Sequence, residues 1–223
     1  MSSGSNTAAI PVAVEDVQGD GRWINMHERH VTTAKEKEPE VLFVGDSLIQ
    51  LMEQFEVWKE FFVPLHSLNF GIGGDQTQHV LWRLQNGALD SITPKVIILG
   101  VGTNNHDHSE DEIFEGLETI IQYITTTIPE AKLMVMAIPP RGKYPNMLRV
   151  KNRAINTNLA ALLEAQPAKY PQAEFFDATG DLVQEDQTID HADMYDYLHF
   201  TNDGYRKVCE PLKYRLDEIL QGM

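Results

Sequence analysis

Ser47 is the residue in this chain best suited to open acyl-transfer chemistry, because the apolar run Val41-Leu42-Phe43-Val44 stops abruptly at Gly45-Asp46-Ser47. A serine hydroxyl is a poor nucleophile at neutral pH and needs a base to take its proton, with a third group to orient that base. The late segment Asp193-Met194-Tyr195-Asp196-Tyr197-Leu198-His199 offers both residue types. Asp196 and His199 stand three residues apart and can meet across one turn, so the carboxylate can select the imidazole tautomer. Asp190, His191 and Asp193 are of the same types, and sequence proximity alone does not rank them. The tetrahedral intermediate also needs preorganised donors. The backbone N–H groups of Ser47 and Gly74 and the side-chain amide of Asn104 are the candidates. Each piece alone is weak: a serine at a helix start is ordinarily a cap, and glycine pairs are ordinarily turns. The weight comes from their joint order along the chain.

The elements must carry these groups to one place. Residues 41–44 read as a buried strand, and Leu48, Ile49, Leu51, Met52 and Phe55 continue at helical spacing from Ser47. Residues 65–70 read as a second strand ending in Gly71-Ile72-Gly73-Gly74-Asp75, followed by a helix over 76–86. Residues 96–101 lack polar alternation, which predicts a central strand covered on both faces. That strand ends in Gly102-Thr103-Asn104-Asn105, and Ser109-Glu110-Asp111-Glu112 matches a capping box opening a helix. Strands over 133–138 and 174–177 and helices over 148–163 and 201–220 follow. A helix over 21–37 precedes them all, with Trp23, Ile24, Met26, His30 and Val31 available for packing. Residues 181–200 form an acidic loop of the length that tends to carry function.

Five alternations of strand and helix predict an α/β fold: a parallel sheet of about five strands with right-handed crossovers, in one three-layer α/β/α sandwich. The single domain spans 21–223, after an arm over 1–20 with little regular structure. Parallel strands put Ser47, Gly74 and Asn104 on the same edge of the sheet.

Composition narrows the classes. Against 33 acidic residues stand 18 basic ones, a net charge of −15 that disfavours nucleic acid or an anionic membrane as a general partner. The one cysteine, Cys209, excludes an intrachain disulfide, fits a reducing compartment and reads as a buried small apolar residue. The first twenty residues lack the pattern of a secretory signal, and no apolar run approaches the roughly 20 residues that span a bilayer. A cytoplasmic protein is expected.

The set Gly45-Asp46-Ser47, Gly73-Gly74-Asp75, Gly102-Thr103-Asn104 and Asp196-Tyr197-Leu198-His199 resembles the four blocks of the SGNH, or GDSL, hydrolase superfamily. Residues 37–47, 68–75 and 79–84 are similar to the branch of intracellular type I platelet-activating factor acetylhydrolase catalytic subunits, and that similarity runs over nearly the whole chain. The resemblance implies a flavodoxin-like sheet, a Ser47-His199-Asp196 triad with His191 as reserve base, and an oxyanion hole from Ser47, Gly74 and Asn104. It further implies hydrolysis of a short acyl ester without a metal or other cofactor, in particular the sn-2 acetyl ester of platelet-activating factor or a related phospholipid. Subunits of that branch pair as homodimers or heterodimers and associate with a WD-repeat regulatory protein. Asn105 stands where the wider superfamily has aspartate, as in the branch. Gly100 departs from the branch, whose members carry an aromatic there, and removes volume near the site.

Leu48, Thr103 and Leu198 each adjoin a proposed catalytic residue and are expected to limit the acyl pocket to acetyl or a little longer; the competing reading is ordinary core. His106-Asp107-His108 supplies two imidazoles and no further identified ligand, so a polar loop is favoured over a metal fragment. Two other functions compete with an esterase. One is a catalytically silent scaffold acting through dimerisation and partner binding. The other is a flavodoxin-like nucleotide binder, for which no phosphate fingerprint of the usual spacing appears.

Overall fold

Strand side chains alternate between two faces, and here both sets are apolar, so the strands persist only between two helical layers. The computed structural model describes residues 5–223 and has this arrangement. Five strands, β1 (Val41–Gly45), β2 (Leu68–Gly71), β3 (Val96–Gly100), β4 (Lys132–Met136) and β5 (Ala173–Phe176), form one parallel sheet in the order β2-β1-β3-β4-β5. This is the flavodoxin-like order. The strand without polar alternation, β3, lies at the centre, with Leu42 opposite Ile97 and Ile97 opposite Leu133.

Leu42, Val44, Ile97, Leu99, Leu133 and Val135 point into one core, closed by α1 (Arg22–Glu36), α3 (Thr77–Arg83), α4 (Glu110–Thr127) and α5 (Met147–Ala165). Their neighbours Val41, Phe43, Val96, Ile98 and Met134 point into the other, closed by α2 (Ser47–Gln50), the turns that follow it, and α6 (Asn202–Gln221). The capping box of α4 forms as read: Glu112 N donates to Ser109 Oγ at 3.2 Å and Ser109 N to Glu112 Oε2 at 2.7 Å.

Three local readings are corrected. The helix from Ser47 ends at Gln50; a 3₁₀ turn (Leu51–Gln54), a π turn (Trp58–Phe62) and a second 3₁₀ turn (Val63–Leu65) replace its continuation. Tertiary partners engage its carbonyls: Tyr205 Oη donates to Leu48 O at 2.7 Å and Asn69 Nδ2 to Ile49 O at 2.6 Å. The second strand begins at Leu68 rather than 65, because His66 ends the turn with φ 48°. On α1 the buried positions are His27, His30 and Ala34, so the reading missed His27, and Ile24 is partly exposed.

Residues 1–4 of the expected arm lie outside the described residues. Beyond them, Thr7–Ala9 forms one 3₁₀ turn against α4. Ala8 is buried there, and its carbonyl accepts from Thr77 Oγ1 at 2.8 Å.

Candidate active site

Ser47 leaves the carboxyl end of β1 as the first residue of α2, and Asp46 caps that helix by accepting Leu48 N at 2.9 Å. This is the point where the strand order reverses, β2 lying to one side of β1 and β3 to the other, and such a switch point opens a crevice at the sheet edge. His199 arrives from the loop before α6. Its Nε2 lies 3.0 Å from Ser47 Oγ, and its Nδ1 lies 2.7 Å from Asp196 Oδ2. The second oxygen, Asp196 Oδ1, accepts the backbone N–H groups of Leu198 at 3.0 Å and His199 at 2.7 Å. Burial alone raises the Asp196 carboxyl, but those bonds and the imidazole outweigh it and hold the group below its ordinary value.

The loop is shaped to turn Asp196 back on His199. Tyr197 adopts φ 61°, a left-handed conformation costly for a non-glycine residue, and Tyr195 N bonds to His199 O at 3.1 Å. The Tyr195 ring stacks on His199 with centroids 5.9 Å apart.

Among the described residues, neither Ser47 N nor Gly74 N has an acceptor in the chain. Both therefore remain available as donors. Gly74 has φ +83°, a conformation that favours glycine, and a Cβ at Gly73 would lie 3.7 Å from Ser47 Cβ. The Asn104 amide points to the same turn: Nδ2 donates to Asp75 O at 3.0 Å, while Asn104 O accepts Gln76 Nε2 at 2.9 Å. An NH₂ group has two hydrogens, so one bond to Asp75 orients the amide and leaves the other hydrogen free.

A buried network lies under this turn and was not read from the sequence. Asp75 and Arg83 are fully buried and paired at 2.8 Å, with Trp23 Nε1 donating to the other carboxylate oxygen at 2.6 Å. Arg83 also donates to Phe70 O at 2.9 Å on β2 and Gly45 O at 3.1 Å on β1. One guanidinium thus ties two strand ends to the glycine turn. Burial pushes the Asp75 carboxyl upward, against the pull of Arg83 and Trp23. The available signal was a lone arginine on an apolar helix face eight residues after an aspartate, which is uninformative without the fold.

The other sequence candidates are dispersed. Leu48 and Thr103 line one cavity beside Ser47, whereas Leu198 lines a separate depression with Arg141 and Met147. His191 packs edge-on against Tyr197 at 5.9 Å. Asp193 pairs with Lys207 at 2.7 Å, and Asp190 accepts Gln184 Nε2 at 3.2 Å. His108 Nε2 lies 2.8 Å from Thr7 Oγ1, joining the loop to the arm. Cys209 is fully buried, as read. Asp46 is also buried, and its carboxyl is pushed up to about 7, by desolvation first and by the charge of Asp75 in addition.

The chain can be compared with known proteins on this geometry. Residues 43–207 match the GDSL-like Lipase/Acylhydrolase family. The chain is 52% identical over 217 residues to platelet-activating factor acetylhydrolase IB subunit alpha1 of Rattus norvegicus, covering 97% of this chain and 92% of that one. It is 51% identical over 222 residues to the alpha2 subunit of Homo sapiens, covering 99% and 95%. A solved structure described as a platelet activating factor from Streptococcus pneumonia superposes with a TM-score of 0.72 at 26% identity, over 90% of this chain and 97% of that one. A GDSL-like lipase from Bacteroides thetaiotaomicron, at 18% identity and TM-score 0.71 over 88% and 98%, shares the fold. The family match covers most of the chain and the half-identical relatives cover nearly all of it, so this chain belongs to the GDSL-like lipase and acylhydrolase family.

Proposed function

We propose that the chain is a serine esterase that hydrolyses short acyl esters, acetyl esters among them, through an acyl-enzyme. Ser47 Oγ attacks the ester carbonyl while His199 Nε2 takes its proton. The carbonyl oxygen becomes an oxyanion held by Ser47 N, Gly74 N and Asn104 Nδ2. The C–O bond to the alcohol then breaks, and His199 returns the proton to the departing oxygen. Water repeats the sequence on the acyl-serine and releases the carboxylic acid. Asp196 holds the imidazole in the tautomer that leaves Nε2 free to accept.

The single observation that carries this reading is the continuous Ser47–His199–Asp196 hydrogen-bond chain. The names of the half-identical relatives support an acetyl ester as the group hydrolysed, and the sn-2 acetyl ester of platelet-activating factor or a related phospholipid as the physiological candidate. Those relatives are named as subunits, which supports pairing of this chain with a second copy or a related subunit. A WD-repeat regulatory partner and action in the cytoplasm complete the proposal, on the resemblance stated above. No helix among the described residues is long and apolar enough to cross a membrane.

A fluorophosphonate probe tests the core of the proposal. The protein is expected to label stoichiometrically, and Ser47→Ala to abolish both labelling and p-nitrophenyl acetate hydrolysis. Equal labelling of the folded Ser47→Ala variant would remove the reading.

A further inference from the structure

The cavity beside Ser47 is larger than an acetyl methyl requires. It lies between the carboxyl ends of β1, β3 and β4 and the inner faces of α2 and α6, is partly enclosed, and has a volume of about 40 Å³. That is room for about three water-sized groups. Its lining includes Asp46 and Leu48, which flank Ser47 in the chain, and Thr103, the neighbour of Asn104, together with Ile49, Gly100 and Met136. The lining is apolar over most of its surface, so the natural occupant is hydrocarbon rather than ordered water.

Gly100 is the residue that keeps this space open. A Cβ there would stand 3.0 Å from Ile49 Cδ1, 3.2 Å from Ile49 Cγ1 and 3.9 Å from Met136 Sδ, so any side chain enters the cavity. The backbone does not call for glycine, because Gly100 is not among the positive-φ residues and pairs in register with Gly45 in the sheet. A glycine in a strand costs roughly 0.5–1 kcal/mol relative to alanine. What it provides here is volume next to the nucleophile.

The tetrahedral carbon has four directions. One goes to Ser47 Oγ, one to the oxyanion donors and one to the leaving oxygen that His199 protonates; the fourth carries the acyl chain, and the cavity lined by Leu48 and Thr103 offers it apolar space. We propose that this cavity receives acyl chains longer than acetyl, with a best fit near butyryl, and that Gly100 sets the length limit. The bond changes are those of the esterase cycle above, on whose serine-esterase reading the inference rests; the acid released is the longer one.

The test is kcat/KM for p-nitrophenyl acetate, butyrate, hexanoate and octanoate on the purified full chain. Each methylene moved from water into apolar space is worth about a fourfold gain, so butyrate is expected to exceed acetate by roughly tenfold and octanoate to fall below butyrate. Gly100→Ala is expected to lower the butyrate-to-acetate ratio at least fivefold. Should that variant fail to fold, Met136→Ala acts in the opposite sense and moves the optimum toward hexanoate. A wild-type profile that is highest on acetate and falls with every methylene overturns the inference while leaving the esterase reading intact. So do ratios unchanged within twofold in both folded variants. Absence of turnover on every ester, together with absence of fluorophosphonate label, removes the esterase reading and this inference with it.

Discussion

At the scale of single residues, the proposed site depends on orienting small groups rather than on unusual ones. His199 sits between two hydrogen-bond partners, and the Asp196 carboxylate is satisfied by two backbone N–H groups as well as the imidazole. Asn104 is the proposed side-chain donor to the oxyanion, and one of its hydrogens is already committed to Asp75 O. Removing one preorganised oxyanion donor typically costs 10²- to 10³-fold in kcat. Asn104→Ala is therefore expected to lower kcat for p-nitrophenyl acetate by about that factor, with KM changed only a few-fold. Steady-state kinetics on the folded variant check this, and a loss confined to KM would contradict the donor role. Asp196→Asn presents His199 with an amide that can stabilise the wrong tautomer, and a drop of roughly 10²- to 10⁴-fold in kcat is expected.

At the scale of elements, strand ends and short turns do the positioning, and one buried ion pair couples them. Arg83 leaves α3 to reach Asp75 in the glycine turn, Phe70 O on β2 and Gly45 O immediately before Asp46. Replacing the guanidinium with an apolar side chain of similar length leaves a buried carboxylate without its counter-charge. Breaking a buried pair on one side costs about 3–5 kcal/mol, so Arg83→Met is expected to shift the urea midpoint markedly downward. A loss below about 1 kcal/mol in urea denaturation would show that the pair adds little. The strands and most long helices around it were legible in the sequence, since apolar periodicity and the Ser109 capping box depend on near neighbours. The termination of α2 at Gln50 was not, because Tyr205 and Asn69, which bond its carbonyls, come from elsewhere in the chain.

At the scale of the whole molecule, two buried groups give stability opposing pH slopes. His30 lies between α1 and Phe70 with its Nδ1 unpaired, and burial, with the nearby Arg83 charge, lowers its pKa from 6.5 to about 3. The unfolded chain therefore binds a proton that the folded chain refuses between about pH 3 and 6.5. This contribution is complete above pH 6.5 and is lost as pH falls. Asp46, raised to about 7, has the opposite sign: the folded chain holds the extra proton, and its contribution is lost as pH rises from about 4 through 7. His30→Phe keeps the stack on Phe70 and removes the first slope. Measured by urea denaturation, the variant is expected to gain about 2 kcal/mol relative to wild type at pH 5 compared with pH 8. An equal difference at the two pH values would mean that His30 does not titrate in this way.

The order of elements, the parallel sheet and a set of candidate groups for esterase chemistry were legible in the sequence. Those follow from local patterns: apolar runs closed by glycine, capping residues, and a serine, an asparagine and a histidine at predicted strand ends or in a long loop. Even the ranking of Asp196 and His199 over Asp190, His191 and Asp193 rested on a resemblance, since all five lie within ten residues of one another. Only the fold decides that Asp193 faces Lys207 and that Asp75 and Arg83 brace the glycine turn. It alone also gave Gly100 a cavity to open. The physical reason is common to these cases: hydrogen bonds and packing volumes depend on which distant surfaces meet, and side-chain type does not encode that partner.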